Sequence, residues 1–196
     1  MDEAQTRVPQ QTDVEALFRE AGVLREGHFL LTSGLHSPVY WEKFRILQYP
    51  EYTGVLCSMF AEHFRSLKPS VVVGPTTGGV ILAFETARQL GVRGIFAEKD
   101  GDALTLRRDF LIELRENVLV VDDVLTTGKS VNETLDAVRR VGGNVIGVGV
   151  MVDRSTSPLD FGVELYSCLR LPAIVYAPDV CPLCAAGVPL KKPGSS

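Results

Sequence analysis

Short unbroken apolar runs alternate along this chain with stretches whose apolar residues recur every three or four positions. Residues 71–73, 94–97, 118–121 and 145–152 are runs of the first kind and predict strands buried on both faces. Residues 79–90 and 129–141 are of the second kind and predict helices, the latter through Val131, Leu135, Val138 and Val141. Earlier, Val55, Leu56, Met59, Phe60, Phe64 and Leu67 share one face of a helix predicted over 52–67, which Pro69 stops. Thr12, Asp13, Val14 and Glu15 form a capping box for a short helix through Val14, Leu17, Phe18 and Ala21, ended by Gly22. Residues 28–44 read as extended, with turns expected at Ser33-Gly34 and Ser37-Pro38. Residues 105–114 predict one or two more strands.

Strands alternating with helices imply an α/β fold, a parallel sheet covered on both faces. Ligands bind such sheets beyond the carboxyl ends of the strands. After Ser155 the alternation degrades into a proline-containing segment and a polar tail. Three parts are expected: a cap over residues 1–60, an α/β core over 61–160, and a C-terminal segment over 161–196 packing with the cap. The 196 residues suffice for one domain with a small appendage. No apolar run approaches the roughly 18 residues of a membrane span, so no membrane association is expected. Residues 1–13 are polar and do not read as a secretory signal, which makes the cytoplasm the expected location. A net charge of −4 gives no bulk attraction to nucleic acid, though a local basic pocket for an anion remains compatible with it.

The densest chemistry lies where the 118–121 run meets Asp122 and Asp123. A turn bearing Thr126, Thr127, Gly128, Lys129 and Ser130 follows, and then a helix. Backbone N–H groups at such a turn and helix start bind phosphate, and carboxylates at a strand end suit ribose hydroxyls. Gly128-Lys129-Ser130 also matches the end of a P-loop. That pattern needs a glycine five residues before Gly128, where this chain has Asp123, whose charge would repel phosphate. A plain strand, turn and helix with surface acids is the simplest alternative. Residues 74–79, Gly-Pro-Thr-Thr-Gly-Gly, follow the first core strand and precede a helix, so they form a second loop fit for an anion.

The 118–130 segment resembles the phosphoribosyl pyrophosphate (PRPP) motif of the type I phosphoribosyltransferases. The resemblance implies their fold, a parallel sheet flanked by helices with a small hood. It implies that Asp122 and Asp123 face the ribose hydroxyls, and that Val124, Leu125, Thr126, Thr127, Gly128, Lys129 and Ser130 surround the 5'-phosphate. It also places pyrophosphate at Thr76, Thr77, Gly78 and Gly79. Residues 27–41 are similar to the N-terminal signature of the orotate phosphoribosyltransferases, and the similarity extends over nearly the whole chain. In that branch the aromatic pair, here Tyr40 and Trp41, packs near the pyrimidine; packing in the cap's own core is the alternative. An Asp-Arg step, here Asp153-Arg154, offers Arg154 to orotate, and Thr126 aligns with a threonine that contacts the base.

What the resemblance implies is transfer of the phosphoribosyl group to orotate, with Mg²⁺ held mainly by PRPP and water, in a homodimer. Three departures weigh against a simple carry-over. The branch has lysines where this chain has Thr32 and Gly78, and a long loop rich in Lys and His. Here the corresponding stretch, residues 98–108, is short and has no His. Lys99 is then the expected catalytic cation, with Arg107 and Arg108 as further candidates or as a solvated hairpin edge. Two alternatives stay open: transfer to another base, and a non-catalytic PRPP or nucleotide sensor of the same fold.

Cys181 and Cys184 form a CxxC pair with no second pair near it in sequence; Cys168 is a possible third ligand. Two reduced thiols in a packed tail are expected rather than a metal or a disulfide. His28, His36 and His63 give no ligand cluster by sequence, and His63 reads as structural beside Phe60 and Phe64.

Overall fold

The computed structural model describes residues 11–31 and 33–193. The polar start over 1–10, the cap side chain of Thr12, the Thr32 position and the tail's last residues, 194–196, lie outside the described residues. The chain opens with α1 (Gln11–Glu20) and an antiparallel hairpin, β1 (Leu24–Leu30) and β2 (His36–Trp41). Gly34, with φ of 81°, makes the turn expected at Ser33-Gly34. The turn expected at Ser37-Pro38 is absent: both residues lie within β2. Pro38 is accommodated because the β1–β2 register shifts between Glu26 and Phe29, opposite it.

A short helix, α2 (Phe44–Leu47), leads to α3 (Pro50–Phe64), which a 3₁₀ turn over Arg65–Leu67 extends before Pro69. Then come β3 (Val71–Pro75), α4 (Gly78–Leu90), β4 (Arg93–Asp100) and β5 (Ala103–Leu106). They are followed by β6 (Asn117–Leu125), α5 (Lys129–Arg140), β7 (Asn144–Asp153) and β8 (Leu165–Arg170), and a short α6 (Pro182–Ala185) lies in the tail. The sheet order is β5-β4-β3-β6-β7-β8, parallel except for the β5 edge.

Period-two alternation divides the core. Val72, Leu119, Val121 and Met151 face α3 and α4, together with Phe18 of α1. Val71, Val73, Val118, Val120, Val148 and Val150 face Val131, Leu135 and Val138 of α5. Phe64 lies so close over β7 that a Cβ at Gly147 would collide with its ring.

The structure redraws the expected three-part division. Residue 60 falls inside α3, which packs on the sheet through Phe60 and Phe64. Past residue 161 the chain returns as the sixth sheet strand, β8, which the sequence reading misses. Its segment Leu-Tyr-Ser-Cys-Leu-Arg mixes polar with apolar residues because an edge strand is only partly covered. Cys168 sits in this strand, buried, with its thiol on the carbonyl of Leu56.

The tail then crosses to the hairpin and pairs with both of its strands, Lys191 beside Phe29 and Tyr176 beside His36. This crossing brings His28 and His36 up to Cys181 and Cys184, which corrects the expectation that the histidines join no ligand cluster. His63 stacks on Tyr166 with ring centroids 4.1 Å apart and meets Phe64 edge-on.

Because Phe60 is fully buried among α3, β7 and β8, Phe60→Ala should cost about 3–5 kcal/mol. Urea unfolding followed by circular dichroism checks this through a lowered midpoint at unchanged slope.

Candidate functional site

Strands β3, β6 and β7 run parallel side by side, so their carboxyl ends open at one edge of the sheet. The loop over residues 74–79 leaves β3 there, with a cis peptide between Thr76 and Thr77. Asp122 and Asp123 lie inside β6 rather than beyond it, since the strand continues to Leu125. Thr126, Thr127 and Gly128 then bend into α5, whose first N–H groups have no acceptor a turn earlier in the helix. Thr76, Thr77, Thr126 and Thr127 are all exposed at this edge.

Both acids are buried, and hydrogen bonds and one ion pair offset part of that burial. Asp122 Oδ2 accepts from the Ser130 hydroxyl at 2.6 Å, and its Oδ1 accepts from the Asp123 amide at 2.8 Å. Asp123 Oδ1 accepts from the Val124 amide at 2.6 Å. Burial and the neighbouring Asp123 carboxylate push Asp122 up to about 6, and the Ser130 bond, the Asp123 amide and Lys43 pull back against them.

Lys43, at the start of α2, pairs with Asp123 at 2.7 Å, yet the sequence reading misses it. No local pattern marks this lysine, because its partner is 80 positions away. Gly78 explains one departure noted above. A Cβ at this position would run into Asp123 Oδ2, so a lysine has no room there while Asp123 holds its place.

Several expected ligands are engaged differently from the sequence reading. The Ser130 hydroxyl is given to Asp122, and the exposed Lys129 side chain turns to Glu133 at 3.7 Å. Arg107 and Arg108 both pair with Glu98 across the β4–β5 hairpin, and Arg108 also lies over Phe96. Lys99, exposed on β4, has no ion pair among the described residues and is the free cation of that hairpin.

Tyr40 and Trp41 do not act as a pair. Adjacent residues of a strand point to opposite faces, so both cannot stack on one base. Trp41 is buried, meets Phe18 edge-on at 5.4 Å, and lies under the Arg154 guanidinium at 5.4 Å. Tyr40 packs on Phe29.

Arg154 directly follows β7, and its amide bonds the carbonyl of Leu125, which sets it beside the β6 loop. Burial lowers its pKa to about 10, which still leaves it charged at neutral pH. Its Nε and the Trp41 Nε1 are buried donors without an acceptor among the described residues. A buried donor of this kind is left for a bound acceptor to satisfy. Asp153, the other half of the Asp-Arg step, is occupied by Arg170 and by the amide of Ser155.

Comparison with known proteins accords with this arrangement. The phosphoribosyl transferase domain family matches residues 45–175. The orotate phosphoribosyltransferase of Pelotomaculum thermopropionicum is 49% identical over 183 residues, which cover 93% of this chain and 96% of that protein. That of Caldanaerobacter subterraneus is 49% identical over 91% of this chain and 94% of its own. Among solved structures, the orotate phosphoribosyltransferase of Aeropyrum pernix superimposes with a TM-score of 0.70 at 27% identity, covering 81% of this chain and 93% of that one. With nearly full-length relatives at this level, the chain belongs to the phosphoribosyltransferase family, in its orotate phosphoribosyltransferase branch.

Proposed function

We propose that this protein transfers the 5-phosphoribosyl group of PRPP to orotate, giving orotidine 5'-monophosphate and pyrophosphate. One observation carries the reading. Two anion-fit loops, a buried acid pair and an arginine with an unsatisfied donor converge on one edge of the sheet. The 5'-phosphate lies against Thr126, Thr127 and the N–H groups that open α5. Asp122 and Asp123 accept from the ribose hydroxyls, and the ion pair with Lys43 holds Asp123 in place. Pyrophosphate lies on the 74–79 loop, with Lys99 as the mobile cation that meets its growing charge.

The C1'–O bond loosens first, its electron pair leaving with pyrophosphate, as in glycoside cleavage. The paired carboxylates favour the positive charge that develops on the sugar. The orotate ring nitrogen then bonds C1' and releases its proton to water. Arg154, backed by Trp41, takes the acceptor oxygens of orotate through its planar fork.

Oxygens of both acids are already engaged by Ser130, two amides and Lys43. This donor set fits a Mg²⁺ that is carried by PRPP and water and reached by Asp122 and Asp123 through water. When bound, such an ion supplies neutralising charge to the pyrophosphate. The protein works as a homodimer in the cytoplasm. Support for the dimer comes from an open apolar groove lined by Leu47, Val80, Ile81 and Phe84, with Phe84 69% exposed.

The direct test supplies PRPP and Mg²⁺ with orotate, adenine, hypoxanthine or uracil, and follows pyrophosphate release. Turnover with orotate alone is expected; turnover with a purine would move the reading to another base, and PRPP binding without turnover would move it to a sensor. Arg154→Ala should raise the KM for orotate roughly ten- to hundredfold, the value of a charge-assisted hydrogen bond, with the KM for PRPP little changed.

The pH dependence follows from Asp122. Its raised pKa means that the folded protein holds this proton more tightly than the unfolded chain does. Asp122 therefore adds stability at about pH 4 that is lost as pH rises through about 6. Activity has the opposite need, since the ribose hydroxyls require the ionised form. The kcat/KM for PRPP should fall below a pH of about 6, and the slow variant Asp122→Asn should lose this acid limb.

A further inference from the structure

One cluster of side chains takes no part in the chemistry above. His28 of β1, His36 of β2, and Cys181 and Cys184 of the tail each place a ligand atom within 4.8 Å of the others. His28 Nε2 lies 3.0 Å from His36 Nδ1, 3.5 Å from Cys181 Sγ and 3.8 Å from Cys184 Sγ. His36 Nδ1 lies 3.3 Å from Cys184 Sγ. A tetrahedron around Zn²⁺, with bonds of about 2.0–2.1 Å to nitrogen and 2.3 Å to sulfur, has edges of about 3.3 Å between nitrogens and about 3.6 Å between nitrogen and sulfur. Four of the six edges fall within about 0.3 Å of those lengths, and the other two are bounded by 4.8 Å, although the residues are separated by up to 156 positions.

A second observation concerns the proton on His28. Its Nδ1 lies 2.8 Å from the carbonyl of Val188. A carbonyl only accepts, so Nδ1 carries the hydrogen, and Nε2 presents its lone pair to the other three atoms. This is the outer hydrogen bond that orients a metal-binding imidazole. His28, His36 and Cys181 are buried, only Cys184 reaches the surface, and both cysteines are free thiols. Without a metal these four groups hydrogen-bond to one another; a shared cation would take a lone pair from each in place of those bonds.

We infer that His28, His36, Cys181 and Cys184 form a closed, structural Zn²⁺ site that clamps the C-terminal tail to the β1–β2 hairpin. Two nitrogens and two sulfurs in a tetrahedron select zinc, and four protein ligands leave no position open for substrate. The clamp has a mechanical purpose. A two-stranded hairpin is marginal alone, and here it carries Trp41, which supports Arg154. The tail adds short backbone pairings to both strands, and the ion locks the place where they meet. The assignment is independent of which base the enzyme uses.

The test uses the full chain, expressed with added zinc and purified without chelator or immobilised metal. Elemental analysis should find about one zinc per chain in the wild type and less than about a tenth of that in Cys184→Ser and His36→Ala. Stripped wild-type protein titrated with Co²⁺ should develop the visible bands of tetrahedral cobalt and the near-ultraviolet thiolate-to-cobalt charge transfer. Cys184→Ser should weaken or abolish the charge transfer, and a chelator should lower the melting temperature of wild type but not of this variant. Wild-type protein without stoichiometric zinc and without the charge-transfer band overturns the proposal, as does a Cys181–Cys184 disulfide detected by counting thiols before reduction. Should the variants fail to fold, the wild-type zinc content and cobalt titration decide the matter alone.

Discussion

Two adjacent carboxylates buried at the end of a central strand are the constraint around which this molecule is arranged. Side by side they repel, and burial penalises the charge of each. The fold answers with donors from separate pieces of chain: Ser130 from the first turn of α5, two amides of β6 itself, and Lys43 from the hood side. Removing any one would leave part of a buried charge uncompensated, which costs far more than a surface ion pair is worth. The same pair forces a glycine at position 78, because Asp123 occupies the space a side chain would need. The bonding of the acids, the glycine of the 74–79 loop and the position of Lys43 thus share one electrostatic origin.

The cations of the site follow from that arrangement. No lysine fits at position 78 while Asp123 holds its place, and a cation reaches the acids instead from the start of α2, as Lys43. At the β4–β5 hairpin, Glu98 engages both arginines and leaves Lys99 free for a moving ligand. On the base side, Arg154 keeps its charge in a buried position because the Trp41 face lies beneath it and its amide is tied to Leu125. Trp41 therefore meets the site through the arginine.

The hood depends on distant parts of the chain for its order. Its hairpin gains neighbours on both strands only when the tail returns, and the His–Cys cluster forms at that junction. The other two cysteines lie in the seam between α3 and its neighbours, where burial pushes the Cys57 thiol up to about 12 and makes it a packing group.

Whereas the strands expected over 105–114 shrink to the end of β5, local pattern alone determined the α/β class, the four inner strands β3, β4, β6 and β7, the helices between them, and the two glycine- and threonine-bearing turns. Each of these is set by periodicity or by glycine and hydroxyl residues within a dozen positions, and so is legible in one dimension. The acids Asp122 and Asp123 were legible for the same reason. What only the tertiary structure decided joins residues far apart in sequence: Lys43 with Asp123, Trp41 with Arg154, Gly78 with Asp123, and the two histidines with the two cysteines. Strand β8 belongs here too, since a half-covered edge strand lacks the unbroken apolar run that marks its buried neighbours. A sequence records which side chains are available; which of them meet depends on how the sheet orders its strands and where the tail crosses the hairpin.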